Sequence, residues 1–230
     1  MSEIKVVLVD LWRTLGYSHP REPIHDVQRI LGHRVTERNG NLEIDEDPDF
    51  LRDCLTTDIR QPGEFLATIG RVYGRIVPEG GMAAFLALLA QEKEAFTIYP
   101  DTLPMLSGLA RKHVRVGLVS NLWPFPTRHI FQQRGLGRFF EHKIYSFEVG
   151  LKKPEPEIFE LAAKRFGVRP QNCLMVGDDP QNDVAGALAV GMKAALINRE
   201  KRPVALPEGV MNLGSLTGLV ASLTPSIKAA

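Results

Sequence analysis

Residues 4–15 read IKVVLVDLWRTL and open on an almost continuous apolar run, Ile4–Val9. A short apolar run without alternation is typical of a strand that is covered on both faces. The run ends at Asp10, and a loop that contains Trp12 and Arg13 follows it. A single aspartate at the end of a strand is commonly a turn residue or a helix cap, so its meaning depends on the rest of the chain.

The rest of the chain repeats the pattern of a buried strand followed by a helix. Three more apolar runs and one weaker run lie at Val114–Val119, Cys173–Val176, Ala194–Ile197 and Lys143–Phe147. Apolar residues with helical spacing occur at Leu103–Lys112, Thr127–Arg134, Pro156–Phe166 and Asn182–Val190. This alternation predicts an α/β fold, in which a Rossmann-like parallel sheet carries helices on both faces.

Residues 16–97 interrupt the alternation. They contain four stretches with helical spacing, at Pro23–Leu31, Pro48–Thr56, Gly63–Ile76 and Gly81–Phe96. A short hairpin is predicted over Arg34–Asp45, with its turn at Asn39-Gly40. A segment of this length is too long for a loop. We therefore predict a mostly helical cap domain at residues 16–97 and a core domain formed by residues 1–15 and 98–230.

The charge and composition of the chain argue against some classes of partner. Lys and Arg number 28 and Asp and Glu number 27, so the net charge of +1 attracts neither nucleic acid nor an anionic membrane. The apolar stretch Met82–Ala90 is much shorter than the roughly 20 residues that span a bilayer. Cys54 and Cys173 lie far apart without metal-type spacing, which favours a reducing, cytoplasmic location. Both a monomer and a homodimer fit these observations.

Polar residues follow the predicted strands at the points where each strand ends. They are Asp10, Ser120 and Asn121, Lys153, and the group Asp178, Asp179 and Asp183. In an open parallel sheet the connections beyond the carboxyl ends of the strands form the ligand site. Each of these residues alone is ordinary loop or cap chemistry. Their occurrence in this order, each at a strand end, predicts one shared polar site.

These motifs together resemble those of the haloacid dehalogenase (HAD) superfamily of hydrolases. The nucleophile loop of the family resembles Asp10 with Thr14 and Leu15, and its second motif resembles Ser120-Asn121. The lysine motif is similar to Gly150–Phe159, and the acidic motif to residues 177–192. The resemblance covers the chain outside residues 16–97, and an insert at that position resembles the helical cap of the family.

The resemblance implies a small phosphorylated substrate and a Mg²⁺ cofactor. Asp10 would be the nucleophile, and Lys153 would offset the crowded carboxylates and bind the phosphate. The other phosphate-binding residues would be Thr14, Ser120 and Asn121. The metal ligands would be Asp10, Asp178 and the backbone carbonyl of Trp12, with Asp183 orienting the site from close range and Asp179 as a further candidate ligand. Lys152 is expected to be a surface charge, because the family places the working lysine directly before the proline.

The sequence departs from the family pattern at Trp12. Phosphatases of the family carry a second aspartate there, which protonates the leaving oxygen and later activates water. Indole has one N–H donor and no group that titrates near neutrality. General acid–base help is worth roughly 10²–10⁴ in rate, so ordinary alkyl phosphates should be poor substrates. Arg13 stands where the family usually has glycine, and it adds bulk or charge beside the nucleophile.

Three functions remain open on these residues. The first is a Mg²⁺-dependent phosphohydrolase that uses activated phosphates or takes its acid from the substrate or the cap, with candidate acids at His19, Glu22 and His25. The second is a dehalogenase that attacks carbon without a metal, because the family's dehalogenases carry an aromatic residue at the position of Trp12; halide would then need a cap cation such as Arg21 or Arg34. The third is a non-catalytic binding protein. We expect the first.

Overall fold

The computed structural model describes residues 3–18, 23–33, 35–38, 41–44, 48–125, 131 and 135–223. Its centre is a six-stranded sheet in which every neighbouring pair is parallel. The strands of the chain are β1 (Val6–Val9), β2 (Gly16–Tyr17), β3 (Val35–Arg38), β4 (Asn41–Ile44), β5 (Thr97–Ile98), β6 (Arg115–Ser120), β7 (His142–Tyr145), β8 (Cys173–Gly177), β9 (Lys193–Ile197) and β10 (Met211–Leu213). The order in the sheet is β10-β9-β8-β1-β6-β7.

Helices cover both faces of this sheet. The helices are α1 (Pro23–Ile30), α2 (Pro48–Thr56), α3 (Pro62–Val72), α4 (Gly81–Ala95), α5 (Thr102–Arg111), α6 (Ser146–Val149), α7 (Pro156–Arg165), α8 (Gly186–Ala189) and α9 (Leu216–Ser222). Val7 and Val9 of β1 pack into the hydrophobic cluster that contains α5 and α9. Val6 and Leu8 point the other way, into the cluster of α7 and α8. Both faces of β1 are therefore buried, which explains its continuous apolar sequence.

The register of β1 brings the site residues to one edge of the sheet. Val9 pairs with Leu118 of β6 on one side and with Val176 of β8 on the other. The residue after Val9 is Asp10, whose backbone N–H donates to the carbonyl of Val176 at 2.9 Å. The carboxyl ends of these three central strands therefore lie side by side, and the residues that follow them are neighbours.

Helices α1–α4 have a hydrophobic cluster of their own. Its buried members include Val27, Phe65 and Phe85, and two residues that follow β6, Trp123 and Phe125, pack among them. Further contacts join these helices to the sheet unit: the Arg52–Glu155 ion pair and the Arg60–Glu148 ion pair, the latter at 2.9 Å. The division into a core and a cap domain stays a prediction, with which the separate cluster is consistent.

The α/β class with a parallel sheet and helices on both faces is confirmed, and the five predicted strands are present. The strands β3 and β4 pair antiparallel where the hairpin was predicted, although its turn lies outside the described residues. Of the predicted helix Thr127–Arg134, only Phe131 is described. Strand β10 and the small β2–β5 pair were not predicted, because two or three residues carry no readable period.

Two predicted helices differ in detail from the observed ones. The helix predicted over Gly63–Ile76 is observed as α3, which already ends at Val72. The chain turns away there because Gly74 adopts a left-handed conformation with φ of 62°. The prediction Asn182–Val190 is replaced by a π-helical turn at Pro180–Ala185 followed by α8. No helix in the described part of the chain combines the length and apolar character needed to cross a membrane.

Candidate active site

The carboxylate of Asp10 lies at the centre of a buried polar cluster. Its Oδ1 atom accepts hydrogen bonds from the Ser120 hydroxyl at 2.8 Å and from the Lys153 ammonium at 2.6 Å. The same ammonium group also donates to Oδ1 of Asp183. Asp10 is 6% exposed, Lys153 and Asp183 are each 2% exposed, and Ser120 is fully buried. The geometry thus fixes one oxygen of Asp10, while within the described part of the chain no side-chain donor contacts its second oxygen.

Lys153 is held in place through its backbone by Asn121. The Asn121 side-chain amide donates to the carbonyl of Lys153 at 2.9 Å, and the backbone N–H of Lys153 donates to Oδ1 of Asn121 at 2.7 Å. The peptide bond between Lys153 and Pro154 is cis. The Asn121 side chain therefore positions the lysine loop, which the sequence did not predict. Lys152 is half-buried, and its backbone N–H donates to Glu155 at 3.2 Å.

Three carboxylates meet at the same place. One oxygen each from Asp10, Asp178 and Asp183 lie within 4.8 Å of one another, a spacing at which one metal ion could contact all three. The Thr14 hydroxyl is buried and donates to Oδ1 of Asp178 at 3.5 Å, the limit of a hydrogen bond. The structure therefore brings together the acidic residues predicted from the sequence.

The charges of this cluster do not balance. Burial and then the nearby carboxylates raise the pKa of Asp178 to about 8. Burial also raises the pKa of Asp183, and contact with Lys153 offsets only part of that effect. Burial alone would lower the pKa of Lys153, but the charges on Asp10 and Asp183 outweigh it and raise this pKa. One ammonium group therefore faces three carboxylates, and a further cation would be stabilised here.

Asp179 and Gly177 serve the geometry of the acidic loop. The carboxylate of Asp179 accepts from the backbone N–H groups of Gln181 and Asn182 at 2.8 and 2.9 Å, which is an N-cap. Its own N–H donates to Oδ2 of Asp183 at 3.1 Å. At Gly177 a Cβ atom would lie 2.0 Å from the same oxygen of Asp183, so only glycine fits at this strand end.

Trp12 is turned towards the hydrophobic core. Its ring is partly buried and packs edge-on against Phe96, with ring centroids 5.1 Å apart. A Cβ atom at Gly16 would lie 2.4 Å from the Phe96 ring, so glycine permits this packing. Arg13 is exposed and has a φ of 57°. The backbone of Trp12 forms an isolated bridge with Gly16, and the assignment of its carbonyl to a metal stays a prediction.

An arginine that the sequence reasoning missed supports the same loop. The Arg199 guanidinium donates to both oxygens of Asp101 at 3.0 Å and to the carbonyl of Thr14 at 2.9 Å. It also lies over the Tyr99 ring, 3.7 Å from the centroid. Burial opposes ionisation of Asp101, but Arg199 holds the pKa of Asp101 below its usual value. Arg199 comes two residues after β9, so examining every strand end would have found it.

The remaining candidates are placed only in part. His25 is half-buried on α1, and the alternative cap residues His19, Arg21, Glu22 and Arg34 lie outside the described residues. Cys54 and Cys173 are both buried free thiols. Burial raises the pKa of Cys173 to about 11, which keeps this thiol protonated and unreactive.

Comparison with known proteins agrees with this geometry. The model of the haloacid dehalogenase-like hydrolases matches residues 4–191 of the 230-residue chain. The chain belongs to this family. The resemblance that the motifs carried is therefore confirmed, and the matched range contains every polar residue of the cluster around Asp10.

The relatives of this hydrolase include phosphatases. A glyceraldehyde 3-phosphate phosphatase of Methanopyrus kandleri is 29% identical over 203 residues, which cover 86% of this chain and 85% of that protein. A phosphoserine phosphatase of Thermus thermophilus is 35% identical over 113 residues, which cover 49% of this chain and only 45% of that protein. The second match thus spans less than half of the relative's length.

Solved structures share the fold over nearly the whole chain. A HAD phosphatase from Thermococcus onnurineus is 26% identical with a TM-score of 0.62, and the match covers 96% of this chain and 99% of that one. A 2-haloacid dehalogenase from Pseudomonas syringae is 24% identical with a TM-score of 0.64, covering 95% and 98%. Because phosphatases and dehalogenases both share this fold, the fold does not separate the two activities.

Proposed function

We propose that this hydrolase is a Mg²⁺-dependent phosphohydrolase that acts on a small activated phosphate through a phosphoryl intermediate on Asp10. The observation that carries the proposal is the buried Asp10 carboxylate, one oxygen of which is held by Ser120 and Lys153 beside two further carboxylates. A dehalogenase of the family works without a metal and has no need of this acidic group. The phosphatases among the relatives support the same choice.

The residues present fit a magnesium ion. Mg²⁺ prefers oxygen ligands and binds proteins through one or two carboxylates while keeping several waters. Asp10 and Asp178 offer two such carboxylates within 4.8 Å, and burial followed by the charges of Asp10 and Asp183 raises the pKa of Asp178. Asp183 is occupied by Lys153 and by the N–H of Asp179, so it would orient the ligands. When bound, Mg²⁺ would offset the negative charges of the phosphoryl group and of Asp10, which otherwise repel each other.

The protein's own groups would act in two steps. The free oxygen of Asp10 attacks phosphorus, a new O–P bond forms, and the bond to the leaving oxygen breaks with its electron pair. The Lys153 ammonium, the backbone N–H of Asn121 and the Ser120 hydroxyl, once it turns from Asp10, would stabilise charge on the phosphoryl oxygens. Water then attacks phosphorus, which breaks the bond to Asp10 and releases phosphate, while the proton of the water passes to solvent.

Trp12 limits both steps. It is packed on Phe96 and carries no titratable group, so it neither protonates the leaving oxygen nor activates water. We therefore expect activated phosphates to form the intermediate and alkyl phosphates to react poorly. The names of the relatives include substrates of the alkyl class, such as phosphoserine and glyceraldehyde 3-phosphate, and this chain should differ from them in that respect.

Assays of the phosphate and halide that the purified protein releases from added substrates test this proposal. We expect phosphate release from acetyl phosphate with Mg²⁺, little release with a chelator, and no halide release from 2-chloropropionate under either condition. Chelator-resistant halide release would favour the dehalogenase, for which the aromatic residue Trp12 is the specific argument. Binding of phosphate without turnover of either compound would favour a non-catalytic protein. The cytoplasmic location and the oligomeric state stay predictions.

A further inference from the structure

A cleft with a volume of about 740 Å³ opens beside the cluster around Asp10. Its lining includes Asp178 and Arg13 and the two aromatic residues Tyr17 and Tyr99. The cleft is close to the reacting group, because one oxygen of Asp178 lies within 4.8 Å of an Asp10 oxygen. A substrate whose phosphoryl group contacts Asp10 can thus extend into this space.

The wall of the cleft presents an aromatic surface. The rings of Tyr17 and Tyr99 lie 5.0 Å apart between centroids and are tilted by 39°. The Arg199 guanidinium, which also lines the cleft, lies over the Tyr99 ring and is itself held by two hydrogen bonds to Asp101. Tyr17 is 44% exposed, so its ring remains available to a ligand. Such a surface favours a flat, aromatic group.

Arg13 adds a positive charge to the lining of the same cleft. Its φ of 57° places a non-glycine residue in the left-handed region, which residues with a side chain rarely adopt. Within the described residues its guanidinium forms no ion pair, in contrast to Arg199. A strained residue at a site is commonly retained for function. The Arg13 cation lines the cleft together with Asp178, on which its charge acts, and with the tyrosine pair.

We infer that this cleft binds an aryl leaving group, so that the preferred substrates are aryl phosphates. The inference rests on the proposed function. As Asp10 forms its bond to phosphorus, the bond between phosphorus and the aryl oxygen breaks, and the electron pair leaves as a phenolate. Arg13 stabilises that negative charge, Tyr17 and Tyr99 contact the ring, and the phenolate takes a proton from solvent after it departs.

The missing acid and the shape of the cleft point to the same chemistry. Without an acid at Trp12 the leaving group must be stable as an anion, which a phenol with a pKa of about 10 achieves far better than an alcohol. Acyl phosphates also meet that condition, but acetate has no ring to place against Tyr17. An aryl phosphate meets both conditions. Its phenolate can leave without the acid that Trp12 does not supply, and its ring can contact Tyr17 and Tyr99.

The test compares kcat/KM for acetyl phosphate, 4-nitrophenyl phosphate and phenyl phosphate. We expect Tyr17→Ala to lower the aryl-to-acetyl ratio about tenfold, because the variant loses the contact between the tyrosine ring and the aryl group of the substrate. Arg13→Gln should lower the rate with phenyl phosphate about tenfold more than the rate with 4-nitrophenyl phosphate, since the more basic leaving group needs more charge stabilisation. Arg13→Lys should recover part of that loss. Arg111→Gln, an exposed arginine remote from the cleft, should change nothing.

Each outcome bears on a different claim. Selective losses in the Tyr17 and Arg13 variants would support the cleft as the leaving-group site. Equal losses on all three substrates, or none, would overturn it while phosphate release from acetyl phosphate keeps the proposed function intact. If the unchanged protein formed no intermediate from acetyl phosphate, the proposed function would fail, and the inference about the cleft with it.

Discussion

Two sides of Asp10 differ in how completely they are built for phosphoryl chemistry. On one side Ser120, Lys153 and Asp183 form a buried network in which the lysine contacts both carboxylates. On the other side lies the loop with Trp12 and Arg13, where an aromatic ring packs on Phe96 instead of an acid facing the substrate. The first side is suited to attack on phosphorus, and the second lacks the group that assists departure and hydrolysis.

The comparison indicates that nucleophilic attack and the proton transfers that assist departure and hydrolysis can be separated within one fold. Attack depends on the nucleophile and on charge neutralisation, both of which the buried network offers. Departure of the leaving group and activation of water depend on proton transfer. We therefore expect a phosphoryl intermediate that forms from activated substrates and persists.

The largest effect should come from the nucleophile. Asp10→Asn should lower phosphate release from acetyl phosphate by about 10³-fold or more, because removal of a nucleophile abolishes the covalent route. The measurement is steady-state phosphate release at saturating Mg²⁺. Glu160→Gln, an exposed carboxylate on α7, is the matched control and should keep full activity. Residual turnover near the original level would remove Asp10 from the mechanism.

Removal of the lysine should break the buried network. Lys153→Met leaves Asp10 and Asp183 without their shared cation, and loss of one partner of a buried ion pair costs about 3–5 kcal/mol of unfolding free energy. Denaturant unfolding without metal measures the loss. Lys152→Met changes the adjacent half-buried lysine and should stay within about 0.5 kcal/mol. Similar destabilisation by both variants would mean that the network contributes little.

Restoring an acid should make the two sides of Asp10 alike. Trp12→Asp should speed phosphate release from the intermediate by about 10²-fold, because general base assistance to water becomes available. The readout is the decay rate of the intermediate after the substrate is removed. Trp12→Asn loses the same packing on Phe96 but supplies no titratable group, so it should give no acceleration. Equal rates in the two variants would contradict the explanation from proton transfer.

The surplus of buried carboxylates should also make the free energy of unfolding depend on pH. Folding raises the pKa of Asp178 from 3.8 to about 8, so the metal-free folded state binds more protons than the unfolded state between these values. The free energy of unfolding should therefore fall as pH rises through that interval and level off above it. Thermal unfolding in a chelator should show the fall, and both Mg²⁺ and Asp178→Asn should reduce it. A rise over the same interval would be contrary to the assignment.

The sequence predicted the central sheet well and the surroundings of the site less well. Runs such as Ile4–Val9 can be recognised as strands because both faces of each strand are buried, which makes the sequence continuously apolar. The residues that follow parallel strands then lie together at one edge of the sheet. The tyrosine pair was not predicted, because its contact depends on the pairing of β2 with β5, whereas Arg199 follows the end of β9 as the other site residues follow their strands. The inward packing of Trp12 was equally unreadable, since its partner Phe96 lies 84 residues away in the chain.

The intact mass of the protein after incubation with acetyl phosphate and Mg²⁺ tests most directly whether Asp10 is the nucleophile. We expect an added phosphoryl group that is absent with a chelator and absent in Asp10→Asn. Because Trp12 cannot activate water, the adduct should outlast the removal of substrate and decay slowly to free phosphate. An unmodified protein that releases no phosphate, or an adduct that forms equally in Asp10→Asn, would contradict the claim that Asp10 is the nucleophile.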